Sequence, residues 1–188
     1  MINSLYIKNY RNLNELTISS LGRVNLITGK NNVGKSTILE AIALYASKGD
    51  LSILYQLLEE RGEGFKRIEA GSNSAVQSNL KTVSSLFRNR TVNFAKDGAI
   101  LIDDLENTSS VKELSNKHVS IRFIKYFDEE QKGLEGDIVR RRRIVSEKEV
   151  EQEFGNYKIG LEIKFGDNFS ILPLEVDRPG RFARSLSV

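Results

Sequence analysis

One run of residues holds most of the chemistry that can be read from this chain. Gly29-Lys30-Asn31-Asn32-Val33-Gly34-Lys35-Ser36-Thr37 has the spacing G-x-x-x-x-G-K-[ST] of a phosphate-binding loop. Glycines at 29 and 34 allow backbone angles that a side chain resists. The loop N–H groups can then turn inward onto phosphate oxygens, with the N-terminus of the next helix behind them. Every residue of the run is therefore a candidate nucleotide contact. Lys35 is the candidate catalytic group, placed to reach the β- and γ-phosphates. Ser36 is the candidate Mg²⁺ ligand, and Thr37 can donate to a phosphate.

Such a loop needs a buried strand before it and a helix after it. Arg23-Val24-Asn25-Leu26-Ile27-Thr28 is short, rich in β-formers and apolar at its centre, and is expected to be that strand. Lys35 to Ser47 is the expected helix. Its apolar stripe is Ile38, Leu39, Ile42 and Tyr45, and Gly49 is its stop. Two short strands precede the loop, over residues 2–8 and 15–18, with a polar turn from Lys8 to Leu13 between them.

The remainder falls into order around this. Asp50 caps an expected helix through Leu51, Leu54, Tyr55 and Leu58 that ends at Arg61-Gly62. Residues 62–74 have loop composition, and Val76, Leu80, Val83 and Phe87 share one helical face. Strands are expected at Thr91–Phe94 and Ala99–Ile102 around an Asp97-Gly98 turn, and through Val119, Ile121 and Phe123. Tyr157 to Phe165 alternates cleanly, and Phe169 to Val176 follows a Gly166-Asp167-Asn168 turn, with Pro173 marking an edge. Ser146-x-x-Glu149 could open a short helix with Val150 and Phe154 inward.

Bulk properties set limits. The chain has 188 residues, 39% hydrophobic and 28% charged, which suits a globular domain with a real core. It has no cysteine, so disulfides and thiolate metal sites are excluded. No apolar run is long enough for a membrane helix and no signal pattern opens the chain, so a cytoplasmic location is expected. A net charge of +3 permits nucleic-acid contact without arguing for it. The single histidine, His118, has no second histidine beside it and is taken as structural or exposed.

The run Leu5-Tyr-Ile-Lys-Asn-Tyr-Arg-Asn-Leu13, followed by the loop and Leu39-Glu40-Ala41-Ile42, resembles the N-terminus of ABC-type P-loop ATPases of the RecF, SMC and OLD group. Asn31 stands at that group's G-x-N position. The resemblance implies an ATP-binding head that uses Mg²⁺, with two heads closing on ATP as a homodimer. The process served would be DNA maintenance or phage defence. It makes Arg11 a further candidate contact to the nucleotide phosphates. The fold it implies is α/β: a P-loop NTPase core like an ABC-type N-terminal lobe, with an appended antiparallel sheet. Residues 1–188 would form a single, incomplete ATPase domain, with the P-loop core in 1–62 and a mixed helical and antiparallel region in 63–188.

Other constellations stay open in the sequence. Ala99-Ile-Leu-Ile-Asp103-Asp104 has the form of a Walker B strand, but the hairpin-type turn before it and the missing signature loop favour a hairpin strand ending in exposed acids. No Leu-Ser-Gly-Gly signature occurs, which fits a fragment of a longer ATPase or a truncated frame. Arg140 to Arg143 could meet DNA phosphates, or form a solvated connector offset by Glu147, Glu149, Glu151 and Glu153. An Era-like GTPase is the alternative enzyme, although Asn116-Lys117-His118-Val119 lacks the aspartate that reads guanine. A nucleotide-binding interaction module without turnover is the third reading.

Overall fold

A computed structural model describes residues 2–65, 73–105, 114–132, 138–145 and 157–175. In chain order its elements are β1 Leu5–Tyr10, β2 Leu13–Ile18, α1 Lys35–Ala46, α2 Leu51–Glu60, α3 Asn73–Ser84, β3 Ile100–Asp103, β4 Val119–Lys132, β5 Ile138–Ile144, β6 Lys158–Phe165 and β7 Asn168–Pro173.

The strands form one sheet in the order β2-β1-β3-β4-β6-β7, and every pairing is antiparallel. β5 runs beside the far half of β4. Tyr126 pairs with Lys158 of β6 on one side and Ile144 of β5 on the other. β5 therefore continues the edge that β3 occupies at the near half. β7 is an outer strand and ends at Pro173, where a missing N–H costs nothing to the ladder.

Alternation along the strands decides what the sheet buries. Ile121 and Phe123 of β4 face a core that holds Leu5, Ile7, Ile100, Ile102, Leu161 and Ile163, and the helices cover it with Ala41, Leu44, Leu54, Leu58 and Val83. Ile124 and Tyr126 point the other way into a small second cluster with Ile171. Helix α2 begins as expected: Asp50 accepts the Ser52 N–H at 2.7 Å. Gly49 joins α1 to α2 at φ +73, with its α-carbon turned onto Ile163 and Val119.

Several expectations are corrected. The sheet is antiparallel throughout with three helices among the described residues, so the expected α/β P-loop core is not clearly laid out. Arg23–Thr28 is not a strand: Val24 is 92% and Leu26 87% exposed. A segment rich in β-formers becomes a strand only when neighbours take up its N–H and C=O groups and cover its side chains. Among the described residues none does so.

Thr91–Phe94 is also not a strand, and Lys96–Gly98 is a 3-10 turn rather than a hairpin turn. Side chains hold that stretch instead. Asn93 Oδ1 accepts the Ala95 N–H at 2.9 Å, and Asn9 Nδ2 donates to the Asp97 and Ala99 carbonyls at 3.0 and 3.1 Å. In α1 the fully buried positions are Thr37, Ala41 and Leu44, while Leu39 is exposed. The short helix expected from Ser146 and the tail beyond Val176 lie outside the described residues.

Candidate phosphate-binding site

The candidate loop leads directly into α1. Gly34 is the N-cap of that helix in a left-handed conformation, φ +107 and ψ +13, and no side chain caps the helix. The first ladder bond is Ile38 N–H to Gly34 C=O at 3.0 Å. The N–H groups of the first turn are therefore left for an outside acceptor. No acid stands in that turn, so the positive end of the helix is uncompensated there. Asn32 also adopts a left-handed φ, +63.

Lys35 closes the loop from within. Its ammonium donates to the carbonyls of Gly29 at 2.8 Å and Lys30 at 2.6 Å. An ammonium has three donors, so one remains free for a ligand. The two hydroxyls after it point to different places. Ser36 is exposed and has no hydrogen-bond partner among the described residues. Thr37 is buried, and its hydroxyl donates to Asn12 Oδ1 at 3.0 Å. Gly29, Lys30, Asn31, Asn32 and Val33 are all exposed at the mouth of the loop.

These residues fit a nucleotide's phosphates: an open cradle of N–H groups, a helix start and a lysine. For Mg²⁺ the chain offers the Ser36 hydroxyl. Among the described residues no group of three or more His, Asp or Glu could hold a metal ion. A magnesium ion here would take its other ligands from phosphate oxygens and water, as this ion commonly does.

Arg11 sits elsewhere than at the mouth of the loop. Its side chain is 7% exposed and held between two carboxylates, Nε on Glu40 at 2.7 Å and Nη1 on Glu63 at 2.9 Å. Glu40 also accepts from the Tyr10 hydroxyl at 3.1 Å and pairs with Arg61. Glu63 also accepts from Ser85 Oγ at 2.8 Å and from Arg90 at 3.0 Å. Burial alone would raise the Glu63 carboxyl, but hydrogen bonds from Arg11 and Ser85 outweigh it and hold the group below its ordinary range. Burial pushes the Tyr10 phenol upward. Arg11 Nη2 is buried with no partner among the described residues.

Sequence reasoning assigned no role to Glu40 and Glu63 of this cluster, or to Asn12 beside Thr37. Glu40 and Asn12 stand in the runs that carry the family resemblance, but all three lie far in the chain from the partners that give them a task.

Asp103 and Asp104 are buried, not exposed as a hairpin end would leave them. Asp104 accepts the Ser4 N–H and hydroxyl, both at 2.9 Å, and the Asn3 N–H at 3.2 Å. Asp103 accepts the Ser115 N–H at 2.6 Å and the Ser115 hydroxyl. These carboxylates fasten neighbouring chain to the end of β3. His118 Nδ1 lies 2.7 Å from the Ser115 carbonyl in the same corner.

The arginine run is the strand β5, and its compensation comes from across the ladder. Arg142 and Arg141 stand opposite Asp128 and Glu129 of β4. Arg143 pairs with Glu129, and Arg142 lies 3.5 Å from Asp128. The expected acids at Glu147 to Glu153 lie outside the described residues. No helix among the described residues is long and apolar enough to cross a membrane.

Comparison with known proteins gives this geometry a family. A model of the AAA ATPase domain matches residues 1–171. An uncharacterized protein of Methanocaldococcus jannaschii, MJECL10, is 48% identical over 61 residues, 32% of this chain and 28% of that protein. An ATP/GTP phosphatase of Helicobacter pylori is 44% identical over 48 residues, 26% of this chain and 13% of that protein. Each match thus takes in less than a third of the relative's own length. No solved structure matches significantly. With its loop, its lysine and a family model matching most of its length, the chain belongs to the AAA ATPase domain family.

Proposed function

We propose that this chain is the ATP-binding N-terminal part of an ABC-type head of the RecF, SMC and OLD kind, with Mg²⁺ as its metal. The observation that carries the reading is the loop from Gly29 to Thr37. It lies open at an uncapped helix start, with Lys35 latched across it and Ser36 exposed. Lys35 would move from the two loop carbonyls to the phosphates, an exchange of neutral acceptors for anionic ones that favours binding. Ser36 would ligate the metal and Glu40 would keep Arg11 beside the helix.

Hydrolysis in this proposal needs elements supplied from outside the described residues. Asp103 and Asp104 are committed to Ser115, Asn3 and Ser4, so a further acid must position the attacking water. The exposure of Val24 and Leu26 supports the same point: among the described residues no strand covers the approach to the loop. Two such heads would then close on ATP as a homodimer. Nucleic-acid contact through β5 has weak support, because its arginines already face acids.

Titration calorimetry with Mg²⁺ tests the reading. Wild type is expected to bind ATP more tightly than GTP, and Lys35→Ala is expected to lose that binding. Hydrolysis by this chain alone is expected to be very slow. Rapid turnover would return Asp103 and Asp104 to candidacy. The name of the Helicobacter pylori relative includes both nucleotides, so equal competition by GTP would favour the GTPase alternative. Binding of neither nucleotide would favour an interaction module.

A further inference from the structure

We propose that Asn12 is a positioning residue of the phosphate loop and acts through Thr37. This rests on the reading of the loop as a nucleotide site. Asn12 lies in the two-residue turn between β1 and β2, where Tyr10 pairs with Leu13. That turn is fixed from several sides. Arg11 takes a left-handed φ of +51, its N–H bonds the Leu86 carbonyl at 2.7 Å, and its guanidinium is held by Glu40 and Glu63. Asn12 is therefore presented from a rigid support.

The Asn12 carboxamide bonds the start of α1 and lies close beside the glycine before it. Its Oδ1 accepts the Thr37 hydroxyl at 3.0 Å. Its Nδ2 lies 3.1 Å from where a β-carbon on Gly34 would be, with Leu13 Cδ2 at 3.2 Å beside it. Gly34 and Thr37 bracket Lys35 and Ser36, the two residues that face a ligand. Asn12 thus bonds one end of the segment that must present its N–H groups together, and at the other end leaves room only for a glycine.

A hydroxyl has one proton. Thr37 spends it on Asn12, which turns the threonine toward the β1–β2 turn and leaves Ser36 and Lys35 facing out. Without Asn12, the buried hydroxyl has to find another acceptor. A helical threonine commonly turns to a carbonyl one turn back, and that contact bends the helix start. The loop would then take several conformations and would have to be ordered as the ligand arrives. Preorganisation lost in this way appears as weaker binding.

The test is a double-mutant cycle on the full chain, read as Mg-ATP affinity by calorimetry. Asn12→Ala is expected to weaken binding about tenfold, the scale of one good hydrogen bond. Thr37→Val is expected to weaken it at least as much. The double variant is expected to bind no more weakly than Thr37→Val alone, because Asn12 has nothing left to act through. Asn12→Asp keeps an acceptor for the hydroxyl. Without nucleotide, its amide signals from Gly34 to Thr37 are expected to stay sharp, whereas those of Asn12→Ala broaden. Wild-type affinity in Asn12→Ala, or effects that simply add in the double variant, would overturn the proposal while Lys35→Ala still upholds the site. If Asn12→Ala does not fold, sharp or broadened signals in Asn12→Asp decide the matter, and broadening there counts against it. A wild type that binds no nucleotide would instead remove the site reading, and this proposal with it.

Discussion

The family resemblance makes Arg11 a candidate phosphate contact, and its neighbours in space give it a different immediate task. It bridges Glu40 on α1 to Glu63 beyond α2, at separations of 29 and 52 residues. No local spacing could announce such a pair. Removing one partner of a buried ion cluster leaves uncompensated charge. Arg11→Ala is therefore expected to cost about 3 kcal/mol in urea unfolding. Arg11→Lys is expected to recover only part, since one ammonium cannot reach two carboxylates as a planar fork does. The cluster also sets an acid limit. Glu63 titrates lower folded than unfolded, so the unfolded chain takes up the proton first. The stability it gives is whole above the ordinary carboxylate value of 4.5 and is lost as pH falls through the lower folded value. Glu63→Gln is expected to flatten the decline of the urea midpoint between neutral and acid pH. The loop residues themselves were legible, because their chemistry depends on neighbours in the chain. Asn12 was not, because its partner lies 25 residues away.

At the scale of elements, helices were read better than strands. The bounds of α1 and α2 follow from Gly34, Gly49 and the Asp50 cap, all local signals. The β6–β7 hairpin was legible for the same reason, through clean alternation and a two-residue turn at Gly166-Asp167. β3 has the sequence signs of half a hairpin but lies between β1 and β4, nearly a hundred residues from one of them. Its Asp103 and Asp104 looked exposed because the chain that covers them comes from Ser4 and Ser115. β5 showed only its charge, and its pairing with β4 decided what that charge meets. Gly49 tests how tightly α1 and α2 are set on the sheet. A β-carbon there would lie 2.7 Å from Ile163 Cγ2, on a residue already at φ +73. Gly49→Ala is expected to cost about 1–3 kcal/mol, measured as a lower melting temperature.

For the molecule as a whole, the sheet and its helices are well buried while the approach to the loop is bare. Leu5 and Ile7 are fully buried, whereas Val24 and Leu26 lie on the surface. Composition could not distinguish these pairs, since burial depends on what stands opposite. Leu5→Ala is expected to cost about 2–5 kcal/mol. Val24→Ser with Leu26→Ser is expected to leave stability within about 0.5 kcal/mol. The same denaturation measurement compares the two.

The irregular stretch between β2 and α1 has one further consequence. It offers trypsin an extended substrate, with Arg23 and Lys30 both exposed. A cut at either would leave β1 and β2 hydrogen-bonded to β3 through the sheet. The nicked protein is expected to run as one particle in native electrophoresis and as two fragments after denaturation. Because Lys30 is exposed at the mouth of the loop, where bound phosphates would cover its backbone, cleavage there is expected to slow when ATP fills the loop, making the digestion rate a reporter of occupancy.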